Sequence, residues 1–134
     1  MLIFDERPHV SLHRIPTAIV IDDDRETVSV FCEYLGLIDV SVLGTGYNGK
    51  EAVEMFEKVR PDVVFLDLLM PDYDGFYALE RIKQMDSEAN VAVITADRLD
   101  ERDMERLERL CPSKIVMKPF EVEQIISMMD NFRR

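Results

Sequence analysis

The sequence predicts an α/β protein of the (βα)5 type, a parallel five-stranded sheet with helices on both faces in a three-layer sandwich. Three observations carry that expectation. Five short apolar runs rich in β-branched residues recur along the chain, and amphipathic helical patterns alternate with them. Acids, a threonine and a lysine stand where several of the runs end. Runs without apolar/polar alternation suit strands buried on both faces, and strict strand–helix alternation suits parallel strands joined by right-handed crossovers.

Residues 1–14, "MLIFDERPHVSLHR", are irregular and are read as an N-terminal extension, with one domain over 15–134. His9 and His13 are spaced as half a helical metal site, but nothing nearby completes a ligand set. Strand 1 is "TAIVI" (17–21), and helix 1 carries Val28, Phe31, Cys32 and Leu35 on one stripe, stopping near Gly36. Strand 2 is "DVSVL" (39–43), and helix 2 carries Ala52, Val53, Phe56 and Val59 until Pro61 ends it. Strand 3 is "DVVFL" (62–66), followed by a helix with Phe76, Leu79 and Ile82. Strand 4 is "VAVIT" (91–95) and strand 5 "KIVM" (114–117), with Val122, Ile125, Ile126 and Met129 striping the last helix. Helix 4, within "DRLDERDMERLERL" (97–110), has only the broken stripe Leu99, Met104, Leu107, Leu110, so weak anchoring is expected.

At 134 residues, 47% apolar and 32% charged, the chain suits one soluble globular domain with a real core. No apolar run approaches the ~20 residues of a membrane span. The first residues lack a signal peptide's sustained apolar centre, so a cytoplasmic location is expected. A formal charge of −11, from 27 acids against 16 bases, disfavours direct contact with nucleic acid. Cys32 and Cys111 are far apart and in no metal or redox spacing; Cys32 is expected as a buried free thiol.

In a parallel sheet, chemistry gathers beyond the carboxyl ends of the strands. Strand 1 ends in Asp22, Asp23 and Asp24, strand 3 in Asp67 and "LLMPDYDG", strand 4 in Thr95 and Ala96, and strand 5 in Lys118, Pro119 and Phe120. Close carboxylates repel by about 4 kcal/mol per pair at 4 Å and an effective dielectric near 20, a cluster a divalent cation makes tolerable. Oxygen-only ligands point to Mg²⁺. A carboxylate nucleophile, a metal, a lysine and a threonine together describe phosphoryl transfer to an aspartate. Asp24 is read instead as a helix cap.

The pieces "IVIDDD", "VVFLDLLMPDYDG", "VITA" and "MKPF", in this order over residues 16 to 132, strongly resemble the receiver domain of two-component response regulators, the CheY-like family. The resemblance implies a flavodoxin-like fold with sheet order 2-1-3-4-5. It also implies a phosphoaccepting Asp67, Mg²⁺ held by Asp23, Asp67 and the Leu69 backbone carbonyl, and Asp22 acting largely through a water. Thr95 with Ala96 and Lys118 would meet the phosphoryl group, and Lys118–Pro119 would be cis. The implied partners are a histidine kinase or phosphotransfer protein upstream and a protein effector downstream. That effector would read the helix 4–strand 5–helix 5 face, which in a dimer would instead pair two copies.

One departure from the family's pattern stands out, and a second point concerns lifetime. Many members carry an aromatic residue three before the lysine, where this chain has Ile115, so the usual ring rotation is lost. Leu69 and Asp97 occupy the positions that tune acyl-phosphate hydrolysis; Leu69 would shield and Asp97 orient a water, with slow hydrolysis expected.

One rival signal is "GTGYNG" (44–49), a literal G-x-G-x-x-G between a strand and a helix, with Asp67 ending the next strand. In the implied sheet order it lies on an edge strand, away from the switch point, so Gly46 to Gly49 read as a turn into helix 2. No output segment follows helix 5, so a stand-alone receiver is expected, in chemotaxis or a phosphorelay. The alternative is a piece of a longer regulator. An aspartyl-phosphate phosphatase is disfavoured, since Leu69 stands where a second acid is needed.

Overall fold

A computed structural model describes residues 15–96 and 99–131. It contains β1 (Thr17–Ile21), α1 (Arg25–Leu37), β2 (Ser41–Gly46), α2 (Gly49–Val59) and β3 (Val63–Asp67). There follow α3 (Gly75–Met85), β4 (Val91–Thr95), α4 (Glu101–Leu110), β5 (Lys114–Met117) and α5 (Val122–Asp130). The five strands form one parallel sheet in the order β2-β1-β3-β4-β5, the 2-1-3-4-5 arrangement expected. The extension, with His9 and His13, lies outside the described residues, as does Asp97.

Alternation along each strand divides the core into two layers. Ile19, Ile21, Val64, Leu66, Val91 and Val93 face one way, toward Ala52, Phe56, Phe76, Leu79, Ile82 and Leu107. Ala18, Val20, Val63, Phe65, Ala92 and Ile94 face the other, toward Val28, Phe31, Leu35, Ile125, Met128 and Met129. So α2, α3 and α4 cover one face of the sheet, and α1 and α5 the other. Every residue of β3 and β4 is buried, whereas β2 and β5 are edges with exposed positions.

Strand 2 runs later than expected. Asp39 adopts a left-handed conformation (φ 63°) that no strand accommodates, and the ladder with β1 instead continues through Gly44 and Gly46. A register shift opposite Ala18 and Ile19 leaves Leu43 as the extra residue, 43% exposed. Ile126 also departs from its expected inward stripe. The buried positions of α5 are Ile125, Met128 and Met129, an i, i+3, i+4 set that turns Ile126 outward. As expected, α4 is thinly held: Leu107 is its one buried side chain.

Helix ends follow local chemistry. Asp24, Asn48, Asp74 and Asp100 cap α1 to α4 by accepting backbone N–H groups of the first turn. The Asp62 carboxylate accepts the Thr17 N–H and hydroxyl at 2.8 and 3.1 Å, tying the entry of β3 to the start of β1.

Candidate functional site

The pairing of β1 with β3 puts Ile21 opposite Leu66, so the residues that follow, Asp22 and Asp67, emerge side by side from the middle of the sheet. From β1 the order runs to β2 on one side and to β3 on the other, which makes this the switch-point crevice. Asp22, Asp23 and Asp67 each bring a carboxylate oxygen into a group lying within 4.8 Å. Asp22 and Asp67 are buried, each 5% exposed, and Asp23 is open to solvent.

Lys118 comes from the far end of the chain. Its Nζ donates to Asp22 Oδ2 at 2.9 Å and lies 3.6 Å from Asp67 Oδ1. Asp22 is fixed further by its own N–H, which donates to the Gly46 carbonyl at 3.2 Å, and by Oδ1, which accepts the Asp24 N–H at 3.0 Å. Asp24 points away: its carboxylate accepts the Thr27 hydroxyl at 2.7 Å and the Glu26 N–H at 3.2 Å. It is the cap that the sequence suggests.

The electrostatics follow from this packing. Burial, and then the Asp22 charge, push the Asp67 carboxyl up to about 6, against the opposing pull of Lys118. Asp23 is raised for the same two reasons. Burial alone would lower the Lys118 ammonium, but its hydrogen bond to Asp22 and the Asp67 and Asp22 charges outweigh this and raise it. Three carboxylates against one ammonium leave a surplus of negative charge. The donors are all oxygen, a set that fits a hard divalent cation.

Thr95 is fully buried at the end of β4, and its hydroxyl makes one long contact, 3.4 Å, to the Ala96 carbonyl. Its own carbonyl accepts the Lys118 N–H at 2.7 Å, which joins the ends of β4 and β5. The Lys118–Pro119 peptide is cis. Leu69 and Ile115 are half-buried against the α2–α3 side of the core, and Ala96 is half-buried.

Some features of the site carry no clear sequence signal. Phe31 packs between Phe65 and Phe120, its ring tilted at 47° to both with centroids 4.9 and 5.3 Å apart, and lines a cavity of about 10 Å³ together with Asp22 and Lys118. Beside it an open groove of about 220 Å³ runs between Phe120 and the α1 residues Glu26, Thr27, Val30 and Tyr34. Phe31 was legible as a core residue, but its contact with Phe120 joins residues distant in the chain. The glycine run is split by the structure: Gly44 and Gly46 are strand, and Gly49 opens α2.

Residues 18–130 match the family model of the response regulator receiver domain. The response regulator protein VraR of Staphylococcus saprophyticus is 34% identical over 84 residues, which is 61% of this chain and 40% of that protein. The chain thus spans well under half the length of that curated relative. Among solved structures, the signal receiver domain of a modulated diguanylate cyclase from Desulfovibrio desulfuricans superposes with a TM-score of 0.80 at 23% identity. That match covers 88% of this chain and 93% of the other. CheY of Borrelia burgdorferi, in its complex with CheX, BeF3 and magnesium, gives 0.75 at 23% identity over 88% and 90%. At these identities the two structures show likeness of fold.

Proposed function

This chain belongs to the response regulator receiver domain family of two-component systems, and from that premise we propose that it is a phosphorylation-driven switch whose acceptor is Asp67. The observation that carries the reading is the meeting of Asp22, Asp23 and Asp67 with the Lys118 ammonium laid against two of them. In the reaction, an Asp67 oxygen attacks phosphorus. The new O–P bond forms as phosphorus parts from the nitrogen of a phosphohistidine or the oxygen of an acyl phosphate, and that leaving group keeps the electron pair. With its carboxyl near 6, Asp67 is mostly ionised at neutral pH, as a nucleophile must be.

Asp22, Asp23, Asp67 and the Leu69 carbonyl are the groups that would hold Mg²⁺, which supplies positive charge to the phosphoryl oxygens. Lys118 pairs with an oxygen of the transferred group, and the weakly held Thr95 hydroxyl turns toward another. Because the Thr95 carbonyl holds the Lys118 N–H, displacement at the end of β4 pulls on β5 and on the loop into α4. A downstream protein then reads the α4–β5–α5 face, a two-state element biased by a local charge. Ile115 has no ring to rotate, so the movement passes through the loop and α4. Leu69 shields the acyl phosphate from water, and hydrolysis is slow.

The donor is a histidine kinase or phosphotransfer protein in the cytoplasm. The chain works either as a stand-alone module or as the receiver part of a longer regulator, a second reading favoured by the greater length of VraR. The reading frame beyond Arg134 distinguishes them.

Intact mass spectrometry with Mg²⁺ and acetyl phosphate tests the proposal. One phosphoryl adduct, dependent on Mg²⁺ and missing in Asp67→Asn, is expected. A folded protein that gives no adduct with either acetyl phosphate or a cognate kinase would overturn it.

A further inference from the structure

The glycine run between β2 and α2 touches both acid-bearing loops. The Gly46 carbonyl accepts the Asp22 N–H, and the Gly49 N–H donates to the Tyr73 carbonyl at 2.6 Å. A methyl group on Gly49 would strike the Asp74 carbonyl and lie 2.8 Å from the Tyr73 carbonyl oxygen. Both obstacles are backbone and cannot swing aside. No described glycine has a positive φ, so the demand at position 49 is for space, not for an unusual backbone conformation. Gly44 differs: the atoms nearest a methyl there belong to the flexible Met55 side chain, at 2.5 Å from Sδ.

Tyr73 and Asp74 end the segment that leaves Asp67. The segment is closed at its base by the Gly75 N–H, which donates to the Leu68 carbonyl at 2.9 Å. Met70 is buried inside it, and the Asp74 carboxylate accepts the Tyr77 N–H at 3.0 Å to start α3. A loop closed at its base and pinned beside that base carries a displacement at Tyr73 back to Asp67 and Leu69.

Resting on the phosphoacceptor reading above, we propose that Gly49 is a positioning residue for the acid site. Its N–H and bare Cα hold the β3–α3 segment against the start of α2, at the separation that keeps Asp67 beside Asp22 and Asp23. A residue serving only as a turn would tolerate alanine, the better helix former, without loss.

Gly49→Ala and Gly44→Ala are to be compared with the unaltered protein by calorimetric titration with Mg²⁺, urea unfolding without metal, and adduct formation from acetyl phosphate. Gly49→Ala is expected to weaken Mg²⁺ binding about 10–100-fold, the usual cost of disturbing what orients a metal's ligands. Adduct formation should slow with it, while Gly44→Ala leaves both near their original values. Undiminished Mg²⁺ affinity in a folded Gly49→Ala protein overturns the proposal. Should that variant fail to fold, NMR of the unaltered protein decides. The Gly49 amide signal should move with the same Mg²⁺ midpoint as that of Asp67, and a Gly49 signal that stays still overturns the proposal. If the unaltered protein binds Mg²⁺ but forms no adduct with either acetyl phosphate or a cognate kinase, the phosphoacceptor reading fails, and the Mg²⁺ affinities still judge Gly49.

Discussion

Asp67 is held in a setting that opposes its own charge, and this has a measurable cost. Its carboxyl sits near 6, above the ordinary value of 3.8, because of burial and Asp22. A raised carboxyl pKa means that the folded state holds the proton more tightly than the unfolded chain between about pH 4 and 6. Stability therefore falls as pH rises through that window and stays reduced above it. In Mg²⁺-free urea unfolding, the unaltered protein is expected to lose about 1–3 kcal/mol from this group between pH 4 and 7. Asp67→Asn should lack that loss and be the more stable protein at pH 7. Equal pH slopes would show that Asp67 is not strained. Lys118→Met acts in the opposite sense, because Asp22 and Asp67 then face each other without their ammonium. With Lys118 partly open to solvent, about 1–2 kcal/mol of destabilisation is expected in the same assay, together with loss of response to phosphorylation.

Among the elements, α4 is the one most thinly held. Leu107 is its single buried side chain, whereas α3 buries Gly75, Phe76, Ala78, Leu79 and Ile82. Hydrogen exchange should find Glu101–Leu110 the least protected of the five helices, and α4 amides as slow as those of α3 would count against its role as reporter. Leu107→Ala is expected to cost about 2–4 kcal/mol and to release α4 first. The same contrast explains what the sequence discloses. β3 and β4 are legible because burial on both faces leaves uninterrupted apolar runs. β2 is an edge whose ladder passes through glycines, so its span reads two or three residues early. The aspartates of the crevice are legible because strand ends can be counted from the chain. Gly49 is not, because its role depends on the backbone of Tyr73 and Asp74, some 25 residues away in the sequence and in contact only once the sheet has formed. Ile126 misleads for a simpler reason: two overlapping stripes of α5 are both apolar, and packing chooses the one through Met128.

For the molecule as a whole, Mg²⁺ should act as a ligand of the folded state. At about 100 times its dissociation constant it is expected to add about 2.7 kcal/mol to the unfolding free energy. The gain should vanish in Asp23→Asn, and an equal gain in that variant would place the cation elsewhere. The site joins residues from the two ends of the domain: Lys118 reaches Asp22 across 96 positions of sequence. A chain growing on the ribosome therefore exposes Asp22, Asp23 and Asp67 well before the lysine that pairs with them has been made. During that interval the acids share no ammonium. A chain that stops between Asp67 and Lys118 keeps the three carboxylates of the crevice but never acquires the ammonium that faces them, so the negative charge gathered there is left uncompensated.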